Sequence, residues 1–212
     1  MVGPQGSNIG SRRSAVVLYS HDDNFFCHQV RLVLAEKGID ATLITVVPGT
    51  MPEGLGDIPS NATLPILVDR DLVLYNARVI IDYLDERYPH PPLMPADPIS
   101  RARTRLTMHR IDSEWISLRP GAIGQTMPLA EAKRQLTESL SAAADVFSAM
   151  NYFFSEEYSI LDATLAPLLW RLPSYGILLP ERAASIRQYA KRIFSRPGFQ
   201  ASLSNAEREL AQ

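Results

Sequence analysis

Cysteine is almost absent from this sequence: Cys27 is the only one among 212 residues. A lone thiol cannot form an internal disulfide bond, so the fold does not depend on an oxidising compartment, and we expect a cytoplasmic protein. The sequence also lacks an apolar run of the roughly 18 residues that cross a bilayer, and residues 1–14 lack the apolar core of a signal peptide. We therefore expect neither a membrane protein nor a disulfide-stabilised scaffold.

Lysine is scarce as well, with three lysines against 18 arginines, and the net charge is only −2. A slightly acidic chain without a DNA-reading motif is not expected to bind DNA directly in a sequence-specific way. His21 and His28 lack metal-ligand spacing to any cysteine or carboxylate cluster, so we expect no metal site. No motif indicates a cofactor either.

What the first half does contain is alternating strand and helix patterns. Apolar runs predict strands at 15–20, 41–47, 65–69 and 72–75, and helical periodicity predicts helices at 27–37 and 77–88, with Gly38 as the cap of the first. The strand–helix–strand opening favours a parallel pair, and the two-residue connection at 70–71 favours an antiparallel hairpin. A loop is predicted over 48–62. From the same pattern we expect Arg31, Lys37 and Asp85 to face water.

Proline is concentrated at one place, with five of the sixteen prolines in residues 89–98. No helix or central strand can run through this stretch, which we interpret as a stiff extended segment, partly polyproline II. It is also the best domain boundary. The predicted organisation is a flexible tail (1–13), an α/β domain (14–88), a proline-rich linker (89–98) and an all-helical domain (99–212), whose helices are predicted at 99–118, 129–150, 160–172, 181–195 and 199–210.

This layout resembles the glutathione transferase fold, a thioredoxin-like α/β domain followed by an all-α domain. Residues 30–38 resemble the first helix of that superfamily, and Ser159 with Asp162 has the spacing of the capping box that begins its buried helix. Taken alone, Leu64–Pro65 is typical of an ordinary proline at a strand entry. The resemblance implies a cis peptide bond there instead.

Catalysis in that superfamily requires a Tyr, Ser or Cys near the first helix and an acidic–serine pair that holds glutathione. Ser20 and Cys27 are the candidates for the first, although we interpret Cys27 mainly as a small buried residue. Asn76–Ala77 replaces the pair, so the charge-assisted capture of the glutathione ammonium group is lost. The resemblance thus implies a degenerate glutathione site made of Ser20, Cys27, Leu64, Pro65, Asn76 and Ala77.

Three segments resemble a narrower family within the superfamily, the stringent starvation protein A family. They are residues 28–38, 83–95 and 165–173, and residues 108–111 with Trp115 add to the match. The resemblance implies a non-catalytic transcription regulator. Such a protein is a homodimer that binds the sigma-bound RNA polymerase holoenzyme and alters promoter use under starvation or stress.

The same resemblance places the polymerase contact on the proline-rich segment. We call its residues the ridge: Tyr88, Pro89, His90, Pro91 and Pro92. A preformed segment bearing an aromatic ring and an imidazole loses little conformational freedom on docking. The alternative interpretation of the segment is a rigid interdomain linker.

A second candidate surface is the face of the following helix that carries Arg101, Arg105 and His109 at spacings of four. It could contact an acidic protein surface or a phosphate-bearing effector. The alternative is a solvated face partly neutralised by Asp112 and Glu114.

A second function from a different class also stays open. It is a glutathione-dependent transferase or thiol reductase that uses Ser20 or Cys27.

Overall fold

The first half of the chain forms a mixed four-stranded sheet with two helices. The structure is a computed structural model and describes residues 16–47, 50, 55, 59 and 62–210. The predicted tail and most of the predicted loop at 48–62 lie outside these residues. The elements of this half are β1 (Val16–Ser20), α1 (Phe25–Glu36), β2 (Ala41–Thr45), β3 (Ile66–Asp69), β4 (Leu72–Tyr75) and α2 (Ala77–Arg87).

The strand order is β2-β1-β3-β4, with β1 parallel to β2 and antiparallel to β3. β3 and β4 form the predicted hairpin. Gly38 has a φ of +63°, and the amide that follows it donates to the Leu34 carbonyl, as a glycine cap requires. The Leu64–Pro65 peptide bond that leads into β3 is cis. These sequence predictions are confirmed.

The described residues of the second half form helices joined by loops, with one isolated bridge between Tyr152 and Ser155. Its α-helices are α3 (Pro98–Glu114), α4 (Leu129–Ala142), α5 (Ile160–Arg171), α6 (Ala184–Phe194), α7 (Pro197–Ser202) and α8 (Asn205–Glu209). Short 3₁₀ segments at Ile116–Leu118, Ala144–Ser148 and Glu181–Ala183 interrupt the longer predicted helices. The single helix predicted at 199–210 is wrong, because Ser204 caps a separate helix there.

α5 is the centre of the helical half, and almost all of its residues are buried. The predicted capping box is present: the Ser159 hydroxyl accepts from the Leu161 amide (3.2 Å) and Asp162 accepts from the Ser159 amide (2.8 Å). The buried Asp162 carboxylate also accepts from the Tyr189 hydroxyl (2.6 Å) and the Phe153 amide (2.9 Å). One carboxylate therefore fixes the start of α5, α6 and the segment before α5.

α1 packs against both halves, because it contacts α2 in the first half and α5 and α7 in the second. This position overturns the expectation that Arg31, Lys37 and Asp85 face water. Each of the three is only 6% exposed. Buried charges persist when they are paired and hydrogen-bonded, and all three have such partners.

Replacing the capping serine tests the role of α5. We expect Ser159→Ala to lower the free energy of unfolding by about 1 kcal/mol, because two hydrogen bonds at the helix start are lost. Denaturant unfolding measures the change. Ser148→Ala is the matched control, since that exposed hydroxyl donates only to the Asp145 carbonyl within the described chain, and a change within about 0.5 kcal/mol is expected. Equal effects of both variants would contradict the assigned role.

Candidate functional site

The ridge joins α2 to α3 and presents four consecutive exposed residues, Pro89 to Pro92. Tyr88 is half-buried, with the Arg87 guanidinium 5.3 Å from its ring centre. The prediction of a stiff extended segment is wrong for the ridge. The backbone bends repeatedly between Tyr88 and Pro91, and the His90–Pro91 peptide bond is cis.

A buried ion pair holds the ridge from below. Lys37 Nζ donates to Asp85 Oδ1 (2.7 Å) and to the Pro91 carbonyl (2.7 Å). The other acceptor sites of Asp85 take the backbone amides of Leu93 (2.9 Å) and Met94 (3.2 Å). The end of α1, the end of α2 and the middle of the proline-rich segment therefore meet at one ion pair. The exposed part of the ridge has a defined shape because its base is fixed.

α3 places Arg101, Arg105 and His109 on one face, as the spacing predicts. Arg101 Nη2 contacts Glu86 Oε1 at 3.1 Å. The positive charge of Arg105 favours ionised Asp82, although burial is the larger effect and raises the pKa of that carboxyl group. This face is thus partly neutralised by acidic residues of α2.

The sequence predicts that Asp112 helps to neutralise this face, but Asp112 pairs with Arg78 instead. Both of its oxygens accept from Arg78 Nη2 (2.9 and 2.8 Å), and Arg78 Nη1 also donates to Thr164 Oγ1 (3.1 Å). Glu114 pairs with Arg110, the neighbour of His109, at 3.0 Å. Arg78 therefore connects α2 with α3 and α5.

Four of the six residues predicted for the degenerate glutathione site line one cavity of about 390 Å³ between the two halves of the chain. They are Leu64, Pro65, Asn76 and Ala77. The other two, Ser20 and Cys27, are buried and do not line this cavity. The fold therefore preserves the cleft but separates it from the predicted nucleophiles.

Ser20 and Cys27 are each engaged inside the protein. Ser20 Oγ accepts from Arg31 Nη1 at 2.6 Å. Cys27 Sγ accepts from the His21 amide at 3.4 Å, and the side chain is fully buried. Burial raises the pKa of the Cys27 thiol, which disfavours the reactive thiolate. The interpretation of Cys27 as a small buried residue is confirmed.

Asn76 has a structural role at the start of α2. Its φ of +78° lies in the left-handed region, which asparagine tolerates better than most residues. Its Oδ1 accepts from the amides of Arg78 (2.9 Å) and Val79 (3.4 Å), so it caps the helix.

Sequence reasoning missed a buried ionic cluster around Glu207. Its carboxylate accepts from Arg31 Nη2 (2.6 Å) and Arg171 Nη2 (2.5 Å), which belong to α1 and α5. Burial, and then the charges of Arg171 and Arg31, hold the pKa of His28 well below its ordinary value. Neutral His28 Nδ1 therefore accepts from Arg171 Nη1 (2.9 Å). The available signal was the spacing of Ser204 and Glu207, which form a second capping box.

The described residues contain no cluster of three His, Cys, Asp or Glu side chains that could hold a metal ion. None of their helices is both long and apolar enough to cross a membrane.

Comparison with known proteins agrees with this architecture. Residues 18–92 match the family described as glutathione S-transferase, N-terminal domain, and residues 106–197 match glutathione S-transferase, C-terminal domain. Among solved structures, the Tau class glutathione S-transferase from mango superposes with a TM-score of 0.77 at 22% identity, covering 94% of this chain and 96% of the enzyme. This likeness shows the fold.

Two curated relatives carry the name stringent starvation protein A homolog. The one from Coxiella burnetii is 45% identical over 203 residues, which cover 95% of this chain and 97% of the relative. The one from Haemophilus ducreyi is 42% identical over 200 residues, covering 92% and 93%. Since this identity extends along nearly the whole of both chains and the fold agrees, the chain belongs to the stringent starvation protein A family.

Proposed function

We propose that this protein is a non-catalytic transcription regulator that binds the sigma-bound RNA polymerase holoenzyme through the ridge and alters promoter use under starvation or stress. The observation that carries the proposal is the exposed Pro89–Pro92 stretch, fixed from below by the buried Lys37–Asp85 pair. A surface ordered before binding loses little conformational entropy on docking. The name shared by its relatives supports the same role.

In this proposal the polymerase makes the DNA contacts. The chain has a net charge of −2, and several exposed arginines are already paired with carboxylates, among them Arg110 with Glu114 and Arg134 with Glu131. Neither property favours a phosphate-binding surface. The proposed location is the cytoplasm, where the polymerase acts.

The site's geometry argues against transferase chemistry. Ser20 Oγ is occupied by Arg31, and the Cys27 thiol is buried with a raised pKa. Asn76 and Ala77 offer neither a carboxylate nor a hydroxyl to an ammonium group. The observation that favours the alternative enzyme is the retained cleft, in a fold shared with the mango transferase.

A homodimer is part of the proposal. Large apolar side chains are exposed on α2 and α3, with Val79 at 49%, Ile99 at 66% and Leu106 at 61%. Ile99 and Leu106 are seven residues apart, so they lie on the same face of α3. Exposed apolar surface of this kind is typical of an interface, and a twofold contact would bury it.

The ridge is tested by a pull-down of the RNA polymerase holoenzyme with the wild type and with a variant in which Pro89, His90 and Pro91 are all changed to alanine. We expect capture to fall by about tenfold or more, because shape and anchoring side chains are lost together. The matched control is Pro128→Ala, at an exposed proline outside both the ridge and the face of α3 that carries Arg101, Arg105 and His109, and it should bind like wild type.

The outcome is decisive when the triple variant keeps the wild-type circular dichroism spectrum and oligomeric state. If such a folded variant captures holoenzyme as well as wild type does, the ridge is only a linker. Equal loss of capture in the control and in the triple variant would also contradict a specific role of the ridge.

The dimer is tested by Leu106→Asp. A carboxylate buried in a subunit interface without a partner is strongly destabilising, so we expect a monomer at micromolar concentration. Light scattering coupled to size-exclusion chromatography measures the mass. Leu178→Asp, which changes a leucine that is 84% exposed and lies elsewhere, should leave the dimer intact. A wild-type monomer, or a dimer unaffected by Leu106→Asp, would refute this part of the proposal.

The absence of transferase chemistry is tested on the wild-type protein. We expect no retention on glutathione-agarose and no conjugation of glutathione to 1-chloro-2,4-dinitrobenzene above the uncatalysed rate, because the cleft lacks a free nucleophile and an acidic partner. A glutathione transferase in the same assay is the positive control. Turnover comparable to that control would establish the alternative function instead.

A further inference from the structure

Arg119 is a buried arginine without a carboxylate partner among the described residues. Its side chain is 7% exposed, and its guanidinium carbon lies 4.8 Å and 5.2 Å from the ring centres of Phe25 and Phe26. Within the described chain, its buried Nε has no hydrogen-bond partner, and its Nη1 reaches only the Pro120 carbonyl at 3.5 Å. Aromatic faces compensate only part of the lost hydration of a cation. Arg119 therefore retains unused donor capacity.

The unused donors border a cavity. Arg119 and Arg171 both line a space of about 570 Å³ between the two halves of the chain, which we call the arginine cavity. The Arg171 guanidinium lies 5.9 Å from the same Phe25 ring that Arg119 covers. Tyr175 also lines the cavity and interacts electrostatically with both arginines.

Among the described residues, positive charge exceeds negative charge around the arginine cavity. Arg31 and Arg171 share the single carboxylate of Glu207, and His28 is neutral. Arg119 adds a further buried cation. Unpaired charges are rarely buried, because their desolvation costs several kcal/mol.

One acidic residue stands at the cavity's edge and does not balance this excess. Asp23 lines the arginine cavity but is 62% exposed, and its Oδ1 lies 4.0 Å from Arg171 Nη2. A screened carboxylate at that distance contributes little, and it does not reach Arg119. The excess positive charge therefore remains inside the cavity.

We propose that the arginine cavity binds a small amphipathic carboxylate, with the carboxylate on Arg119 and the apolar body against Phe25 and Phe26. A guanidinium edge matches a planar carboxylate with two parallel hydrogen bonds. The walls include the apolar side chains of Leu64, Ile123 and Leu210, which suit an aliphatic or aromatic body, beside polar side chains such as Ser174 and Tyr175. The volume lies within the usual range for small-molecule sites. This binding is separate from the polymerase contact and does not depend on it.

The first test uses the wild-type protein and isothermal titration calorimetry. The probes are 4-phenylbutyrate and its neutral analogue 4-phenylbutyramide, which share one apolar body and differ in charge. We expect the carboxylate to bind about tenfold or more tightly, since charge-assisted hydrogen bonds are the stronger ones. Equal affinities, or no binding of the carboxylate, would overturn the proposal without requiring any variant to fold.

The second test changes the cation. Arg119→Met keeps an unbranched apolar side chain and should abolish the preference for phenylbutyrate, bringing the two affinities within about twofold of each other. Arg182→Met, at an exposed arginine outside the cavity, should leave the preference unchanged. A preference that survives in Arg119→Met would overturn the proposal.

Thermal unfolding without the probe separates binding from a structural role. An unpaired buried cation destabilises the empty protein, so Arg119→Met should unfold at the wild-type temperature or above it. Saturating phenylbutyrate should raise the unfolding temperature of the wild type and not that of Arg119→Met. A large loss of stability in probe-free Arg119→Met would mean that Arg119 is structural, which contradicts the proposal.

Discussion

The position of α1 between the α/β half and the helical half of the chain is the constraint from which the other features follow. A helix covered on both sides must find partners for every polar side chain it buries. Gln29 donates to the Thr164 carbonyl (3.0 Å), and Arg31 finds Glu207 and the Ser20 hydroxyl. One requirement thus brings α8 into the core and gives the buried Ser20 hydroxyl a hydrogen-bond donor.

Local signals in the sequence were sufficient to predict the helices and strands. They were not sufficient to predict the pairings between residues that are distant in the sequence. Gly38 and the capping box at Ser159 depend on neighbours within a few residues, so their spacing predicted them. Lys37 and Asp85 are 48 positions apart, and Arg31 and Glu207 are 176 apart. Helical periodicity treats each such residue as an isolated charge and places it in water. Only the tertiary structure supplies the partner that makes burial favourable.

The cleft shows the same difference between residues that the sequence predicts and residues that only the tertiary structure identifies. Resemblance found Leu64, Pro65, Asn76 and Ala77, because these positions follow a motif of the fold, and the structure brings them together. Arg119 belongs to no motif. Its significance arises from what is missing around it, since the described chain provides two aromatic rings but no carboxylate. An absence of this kind can be recognised only in three dimensions.

The ion pair beneath the ridge has a consequence for how this surface can be moved or inherited. Lys37 caps the end of α1 and Asp85 lies near the end of α2, so the shape of the ridge is encoded in two helices whose paired residues are 48 positions apart in the sequence. Residues 88–92 grafted onto another scaffold would keep their sequence but lose the ion pair that fixes their shape. A lineage that kept every proline and exchanged Lys37 for an apolar residue would retain the motif without its geometry.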